Sequence, residues 1–141
     1  MTWAELAIRR LGEAGYRSGG SRRQVVELLA GEPCAVTALE IDHRLESVGR
    51  ASVYRTLEQL EQLHLVQRVE IGGDAAGYER IDADLHHHHL VCEECGQLAP
   101  FASDELEDAI EAISRRSDFA VAAHDVVLRG TCPRCNAAGK R

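Results

Sequence analysis

Four cysteines stand in two pairs, Cys92-x-x-Cys95 and Cys132-x-x-Cys135, and four consecutive histidines, His86 to His89, lead into the first pair. Structural zinc takes four ligands in a tetrahedron, and a CxxC turn supplies two thiolates from one bend of chain. Gly96, directly after Cys95, permits the tight knuckle this needs. The loop from residue 96 to residue 131 has room for a helix and a strand. The rival reading is two unrelated redox pairs, but two CxxC pairs seldom coincide in so short a chain. Zinc here would close a long loop, and its binding energy would be folding energy. The histidine run has the composition of a purification tag, yet it is internal and runs straight into Leu90-Val91-Cys92. Strands point alternate side chains to opposite faces, so His86 and His88 share one face and His87 and His89 the other. Neighbours on a face lie roughly 7 Å apart. One run can therefore seed two imidazole sites, with a solvated polar loop as the rival.

The elements that must hold these groups differ between the two halves. Thr2 to Glu5, Ser21 to Gln24 and Thr37 to Glu40 each read as a capping box at a helix start. Each precedes apolar residues at helical spacing: Leu6 and Leu11; Val25, Val26, Leu28 and Leu29; Leu39, Ile41 and Leu45. A fourth helix is predicted from Arg50 through Val53, Leu57, Leu60 and Leu63. After Leu65 the period drops to two, Gly72-Gly73-Asp74 turns the chain, and Gly77 to Ile81 resumes as a strand. Helices followed by a hairpin are the order of a winged helix-turn-helix.

Beyond a boundary at Asp82–Leu85, Leu90 to Phe101 reads as strand interrupted by the first CxxC. Ser103 to Arg116 reads as an amphipathic helix with Leu106, Ala109, Ile110 and Ile113 inward. Phe119 to Gly130 reads as a long strand, apolar on both faces. The expected class is α+β: a winged helix-turn-helix over 1–83, then a small α/β dimerisation domain over 84–141 carrying the four-cysteine zinc site.

The chain has 141 residues, 45% hydrophobic and 28% charged, which is globular composition. No apolar run approaches the length of a membrane span, and no signal peptide is visible at the start. A cytoplasmic location with reduced thiols is expected. The net charge of −7 argues against a nucleic-acid partner on average. That average hides residues 16–56, where six arginines face five carboxylates.

The residues GYR at 15–17, Arg22, ASVYRTLEQLE at 51–61, GYER at 77–80, HHHHLVCEECG at 86–96 and His124-x7-Cys132-x-x-Cys135 resemble, in order, the ferric uptake regulator family. The resemblance implies a DNA-binding winged helix, an α/β dimerisation domain and metal-dependent repression of metal-uptake genes, iron or zinc. It assigns Cys92, Cys95, Cys132 and Cys135 to structural zinc. It assigns Glu79, His87 and His89 to a regulatory site at the hinge between domains, and His86, His88, Glu107 and His124 to a second site. Iron-type members place a histidine where this chain has Ala35; Cys34, one residue earlier, is a fourth-ligand candidate or a buried small hydrophobe. The cysteine and aspartate that zinc-type members use near the wing align with Ile81 and Gln67. Nitrogen and carboxylate ligands suit Zn, Fe(II) and Mn, and affinity order places zinc first. Glu107 has a rival reading as part of a capping box with Asp104. His43 and His64 read as plain polar residues.

On DNA, the helix from Arg50 is expected in the major groove, offering Arg50, Ser52, Tyr54 and Arg55, with Arg17 reaching phosphate or the minor groove. The partners expected are a palindromic double-stranded operator and a second copy of the chain, with no membrane. An enzyme is not expected: zinc deaminases need H-x-E, which is absent, and four cysteines on one zinc leave no position for water. A peroxide sensor of the same family and a zinc buffer or metallochaperone are the alternatives.

Overall fold

The computed structural model describes residues 1–17, 19–72, 75–82 and 85–139. The chain forms two compact units, Met1–Leu85 and His86–Arg141.

In the first unit, α1 (Trp3–Glu13), α2 (Gly20–Ala30), α3 (Ala38–Arg44) and α4 (Arg50–Gln62) surround a core of Ala7, Leu11, Val25, Val26, Leu29, Ile41, Val53, Leu57 and Leu60. Side-chain caps start α1 and α3. Thr2 caps α1 in a full capping box: its hydroxyl accepts from the Glu5 N–H, and Glu5 accepts from the Thr2 N–H at 2.7 Å. Thr37 caps α3 by accepting from the Glu40 N–H at 3.0 Å. The predicted Ser21 box does not form; α2 starts earlier, at Gly20, with Gly19 in the cap position and no side-chain cap. Leu39, expected inward, is 50% exposed, because α3 is only two turns long and turns Ala38 and Ile41 into the core. Long-range bonds fasten α1: the Trp3 indole N–H donates to the Leu65 carbonyl at 3.1 Å, and Arg10 donates to the Leu63 carbonyl at 3.0 Å.

The wing is an antiparallel sheet, β1 (Val36–Thr37), β3 (Ala75–Arg80), β2 (Val66–Gly72) in that spatial order. Val69 stands opposite Gly77, and a register shift falls between Glu70 and Gly72. The predicted turn at Gly73-Asp74 lies outside the described residues, as do positions 83 and 84 of the predicted boundary. The Arg80 guanidinium donates to the carbonyls of Ala30 (2.6 Å) and Glu32 (3.1 Å), tying β3 to the end of α2.

The second unit is a sheet of order β5 (Leu98–Phe101), β4 (His88–Cys92), β6 (Val127–Gly130), with α5 (Asp104–Arg116) and a terminal α6 (Pro133–Gly139). β4 pairs antiparallel with β5 and parallel with β6. A parallel pair needs a crossover, and the segment carrying α5 provides it. Gly96 takes φ +78° in the bend between β4 and β5. Only Val127–Gly130 of the predicted long strand pairs. Phe119 is 81% exposed and Val121 49%, and neither pairs in a sheet among the described residues. Ala109 and Ile113, expected inward, are exposed too, Ile113 at 57%. Only Val91 and Cys92 are buried apolar residues among those described here, too few for an independent core. Leu90, 42% exposed, faces Ala99 across one ladder and Leu128, 50% exposed, across the other, an apolar row on an open face. Among the described residues no helix is long and apolar enough to cross a membrane.

Candidate metal centres and nucleic-acid interface

The β4–β5 bend carries Cys92 and Cys95, and the start of α6 carries Cys132 and Cys135. The four Sγ atoms lie within 4.8 Å of one another, with Cys95 and Cys132 at 3.8 Å. A tetrahedron with Zn–S bonds of ~2.3 Å has edges of roughly 3.8 Å, so the donor set fits zinc in both chemistry and spacing. Backbone N–H groups of Cys132 (3.3 Å) and Cys95 (3.5 Å) donate to Cys92 Sγ and lower its pKa to about 6. The neighbouring Cys132 sulfur instead pushes Cys135 up to about 12. Four thiolates this close do not ionise together without a cation among them, which is the condition zinc meets. Arg134 hydrogen-bonds Cys95 and adds a positive charge at the rim.

A second cluster gathers on α5. Glu107 Oε1 lies 2.9 Å from His86 Nε2 and 2.7 Å from His124 Nε2; Oε2 lies 2.7 Å from His88 Nε2. The Glu107 carboxyl is held down at about 2, first by its bond to His88 and then by His86 and His124, so it is ionised at neutral pH. Ser103 caps α5, accepting from the Leu106 N–H at 3.2 Å. Glu107 is therefore free of capping and faces the imidazoles. His88 is buried, packs against Phe101 at 5.6 Å, and accepts the Val126 N–H on Nδ1 at 3.2 Å. That bond assigns the proton of neutral His88 to Nε2, making this ring a donor to Glu107. His86, His88, Glu107 and His124 offer ligand atoms within 4.8 Å of one another, a nitrogen and oxygen set that fits a divalent transition metal.

His87 and His89 stand together on the other side of the run, ring centroids 5.0 Å apart, with His89 fully buried. In the first unit, Cys34 and Glu79 are both buried and their ligand atoms lie within 4.8 Å of each other. Gln67 donates to Glu79 at 2.6 Å, so the residue in the aspartate position of zinc-type members orients a carboxylate instead. His43 and His64 are exposed.

The outer face of α4 presents Arg50, Tyr54 and Arg55, with Ser52 half-buried, while Val53, Thr56, Leu57, Gln59 and Leu60 face inward. Tyr54 is 48% exposed, so its ring is available to a groove. Arg17 is exposed before α2. Arg22 joins the two: Nε donates to Gln59 on α4 at 2.8 Å, one terminal amino group donates to the Arg17 carbonyl at 2.6 Å, and the guanidinium lies 5.5 Å over Tyr16. Sequence reasoning noted Arg22 only as part of the resemblance; nothing local to it signals a partner 37 residues away. Asp42 also escaped notice. It reaches Arg50 from α3, at 3.1 Å.

The sequence profile of the Ferric uptake regulator family matches residues 13–129. The Ferric uptake regulation protein of Bacillus subtilis is 39% identical over 100 residues, covering 70% of this chain and 67% of that protein. The one from Neisseria meningitidis serogroup A is 30% identical over 139 residues, covering 95% and 96%. Among solved structures, the Helicobacter pylori ferric uptake regulator, described as having three functional metal-binding sites, superposes with TM-score 0.79 at 26% identity over 94% of this chain and 93% of that one. With a helix-turn-helix and wing in the first unit and thiolate and histidine–carboxylate clusters in the second, the chain belongs to the ferric uptake regulator family.

Proposed function

We propose that this protein is a metal-responsive DNA-binding repressor of metal-uptake genes, acting as a homodimer in the cytoplasm. The observation that carries it is the presence, in one chain of this family, of an exposed Arg–Tyr face on α4 and of separate thiolate and imidazole donor clusters. Cys92, Cys95, Cys132 and Cys135 hold zinc and staple a unit with little apolar core. His86, His88, Glu107 and His124 form the second site, and His88 also orients the Glu107 carboxylate. Glu79, His87 and His89, with Cys34, form the regulatory site named by the resemblance. Zn or Fe(II), and third Mn, supply there a charge that neutralises Glu79 and links its ligands. Glu79 comes from the wing strand and the histidines from the second unit, so one cation held by both would link the two units. That shifts the population toward a DNA-competent arrangement, and the coupling is reciprocal.

On DNA, Arg50 and Arg55 offer guanidinium forks to guanine or phosphate, Ser52 a hydroxyl, Tyr54 a ring face for thymine methyls, and Arg17 a phosphate or minor-groove contact. The open row Leu90, Leu128 and Ala99 and the exposed Ile113, Phe119 and Val121 are the surface a second copy covers. Two copies then match a palindromic operator. The family is one of transcriptional regulators, and no enzymatic role is proposed.

The test is a gel shift with a duplex enriched from a random pool, with and without Fe(II), Zn and Mn. Repressor function predicts a metal-dependent shift that Tyr54→Ala and Arg55→Ala each weaken by about 1–3 kcal/mol if they touch bases. A metal buffer gives no shift with any metal. A peroxide sensor loses the iron-dependent shift on peroxide treatment and keeps the zinc-dependent one.

A further inference from the structure

Arg50 is the first residue of α4 and projects from its outer face with 65% of its side chain exposed. An arginine so placed samples many rotamers, and ordering it on DNA costs entropy. Asp42, on the facing helix α3, has a side chain only 18% exposed, and its Oδ2 accepts from Arg50 Nε at 3.1 Å. Arg44, the arginine of α3, is engaged elsewhere: it pairs with Glu32 and Glu40. The bond to Nε leaves the two terminal amino groups of Arg50 as a fork, and the guanine major-groove edge offers two acceptors, O6 and N7, that match such a fork.

We propose that Asp42 is a positioning residue for base reading, holding the Arg50 fork toward the major groove and sharpening discrimination for guanine at one position of each half-site. The proposal rests on the reading of α4 as the DNA-contacting helix. Asp42 acts twice. It lowers the cost of ordering Arg50 on the correct base. Its negative charge, close to the DNA surface, also weakens binding where no guanine engages the fork, since a carboxylate repels phosphate. Specificity gains from both effects, and affinity for random DNA gains from neither.

The experiment uses the zinc-containing full-length dimer and a duplex enriched from a random pool, together with every single-base-pair variant of that duplex. Arg50→Ala, Asp42→Ala, Asp42→Asn and the double variant Arg50→Ala/Asp42→Ala are compared, with thermal melting as a control for folding. Arg50→Ala should lose discrimination at one base pair per half-site. Asp42→Ala should lose about three- to tenfold of discrimination at that same pair. Its binding to random-sequence duplex should be unchanged or tighter, a readout that a merely structural defect would drive the other way. Asp42→Asn, which keeps the acceptor oxygen, should retain part of the discrimination. In the Arg50→Ala background, Asp42→Ala should have no further effect at that pair. Full discrimination in Asp42→Ala beside a loss in Arg50→Ala overturns the positioning role, as does a loss by Asp42→Ala that persists without Arg50. If Asp42→Ala fails to fold, Asp42→Asn decides on the same criteria. Undiminished discrimination in Arg50→Ala refutes base reading at the start of α4, and the role of Asp42 falls with it.

Discussion

Val126 donates its N–H to Nδ1 of His88, and the opposite nitrogen of that ring meets Glu107 at 2.7 Å. His88 thus holds the carboxylate around which His86 and His124 gather. His89, its chain neighbour, points away from that carboxylate and stands against His87. The split into alternate pairs was legible in the run itself, since strand alternation is geometric. The donor role of His88 was not legible, because it depends on a backbone amide 38 positions away. The account gives the two substitutions different outcomes. His89→Ala should abolish metal-dependent DNA binding, a loss of about 5- to 150-fold, while leaving structural zinc and dimer intact. His88→Ala should only weaken the response, since Glu107 keeps His86 and His124. Metal-titrated gel shifts of the two variants check this, and the reverse order of severity would contradict it. At the thiolate cluster, Cys92→Ser removes the sulfur on which two backbone N–H groups converge. Metal analysis should show one tightly held zinc lost per chain and sedimentation a weakened dimer; a folded, dimeric, zinc-loaded variant would contradict the structural role.

At the scale of elements, the helices of the first unit were legible because caps and apolar periodicity agree. Thr2 and Thr37 are caps in fact, whereas Ser21 has the residue type without the geometry, since Gly19 is the cap and α2 already begins at Gly20. The long strand expected from Phe119 shows the limit of pattern reading. Apolar residues at 119 and 121 look like a buried strand, yet they are exposed. His64 takes φ +58° just beyond α4, a conformation that side-chain periodicity does not announce.

The α1 capping box makes a pH-dependent prediction. Glu5 has its pKa lowered from 4.5, chiefly by the Thr2 backbone N–H and then by the Thr2 hydroxyl. A carboxyl with a depressed folded pKa contributes stability above its unfolded value and loses it as pH falls through the folded one. Thr2→Ala should therefore cost about 1 kcal/mol at pH 7 by denaturant unfolding. Glu5→Gln should differ from wild type above pH 4.5 and converge on it in more acidic buffer. A Glu5→Gln deficit that stays constant down to pH 2 would show that charge has no part in the cap.

At the scale of the whole molecule, the two units divide the labour that the family implies. The first has an apolar core and an α4 whose first turns expose Arg50, Tyr54 and Arg55. The second has, among the described residues, only Val91 and Cys92 as buried apolar residues, beside its thiolate and histidine–carboxylate donor clusters, so the proposed zinc and second copy would supply stability that its own core does not. Overall acidity, net −7, does not oppose the proposed DNA binding, because phosphate contact would depend on the local arginines Arg17, Arg50 and Arg55 rather than on the average charge. The central claim is that metal occupancy at the histidine–carboxylate sites governs that contact. Its most direct test is the affinity of the dimer, retaining only thiolate-bound zinc, for its enriched duplex, measured before and after saturation with Fe(II) and, separately, with Zn(II). The account predicts that at least one metal tightens binding by about 5- to 150-fold and that the duplex tightens that metal by the same factor. Equal DNA affinity with and without either metal would contradict it.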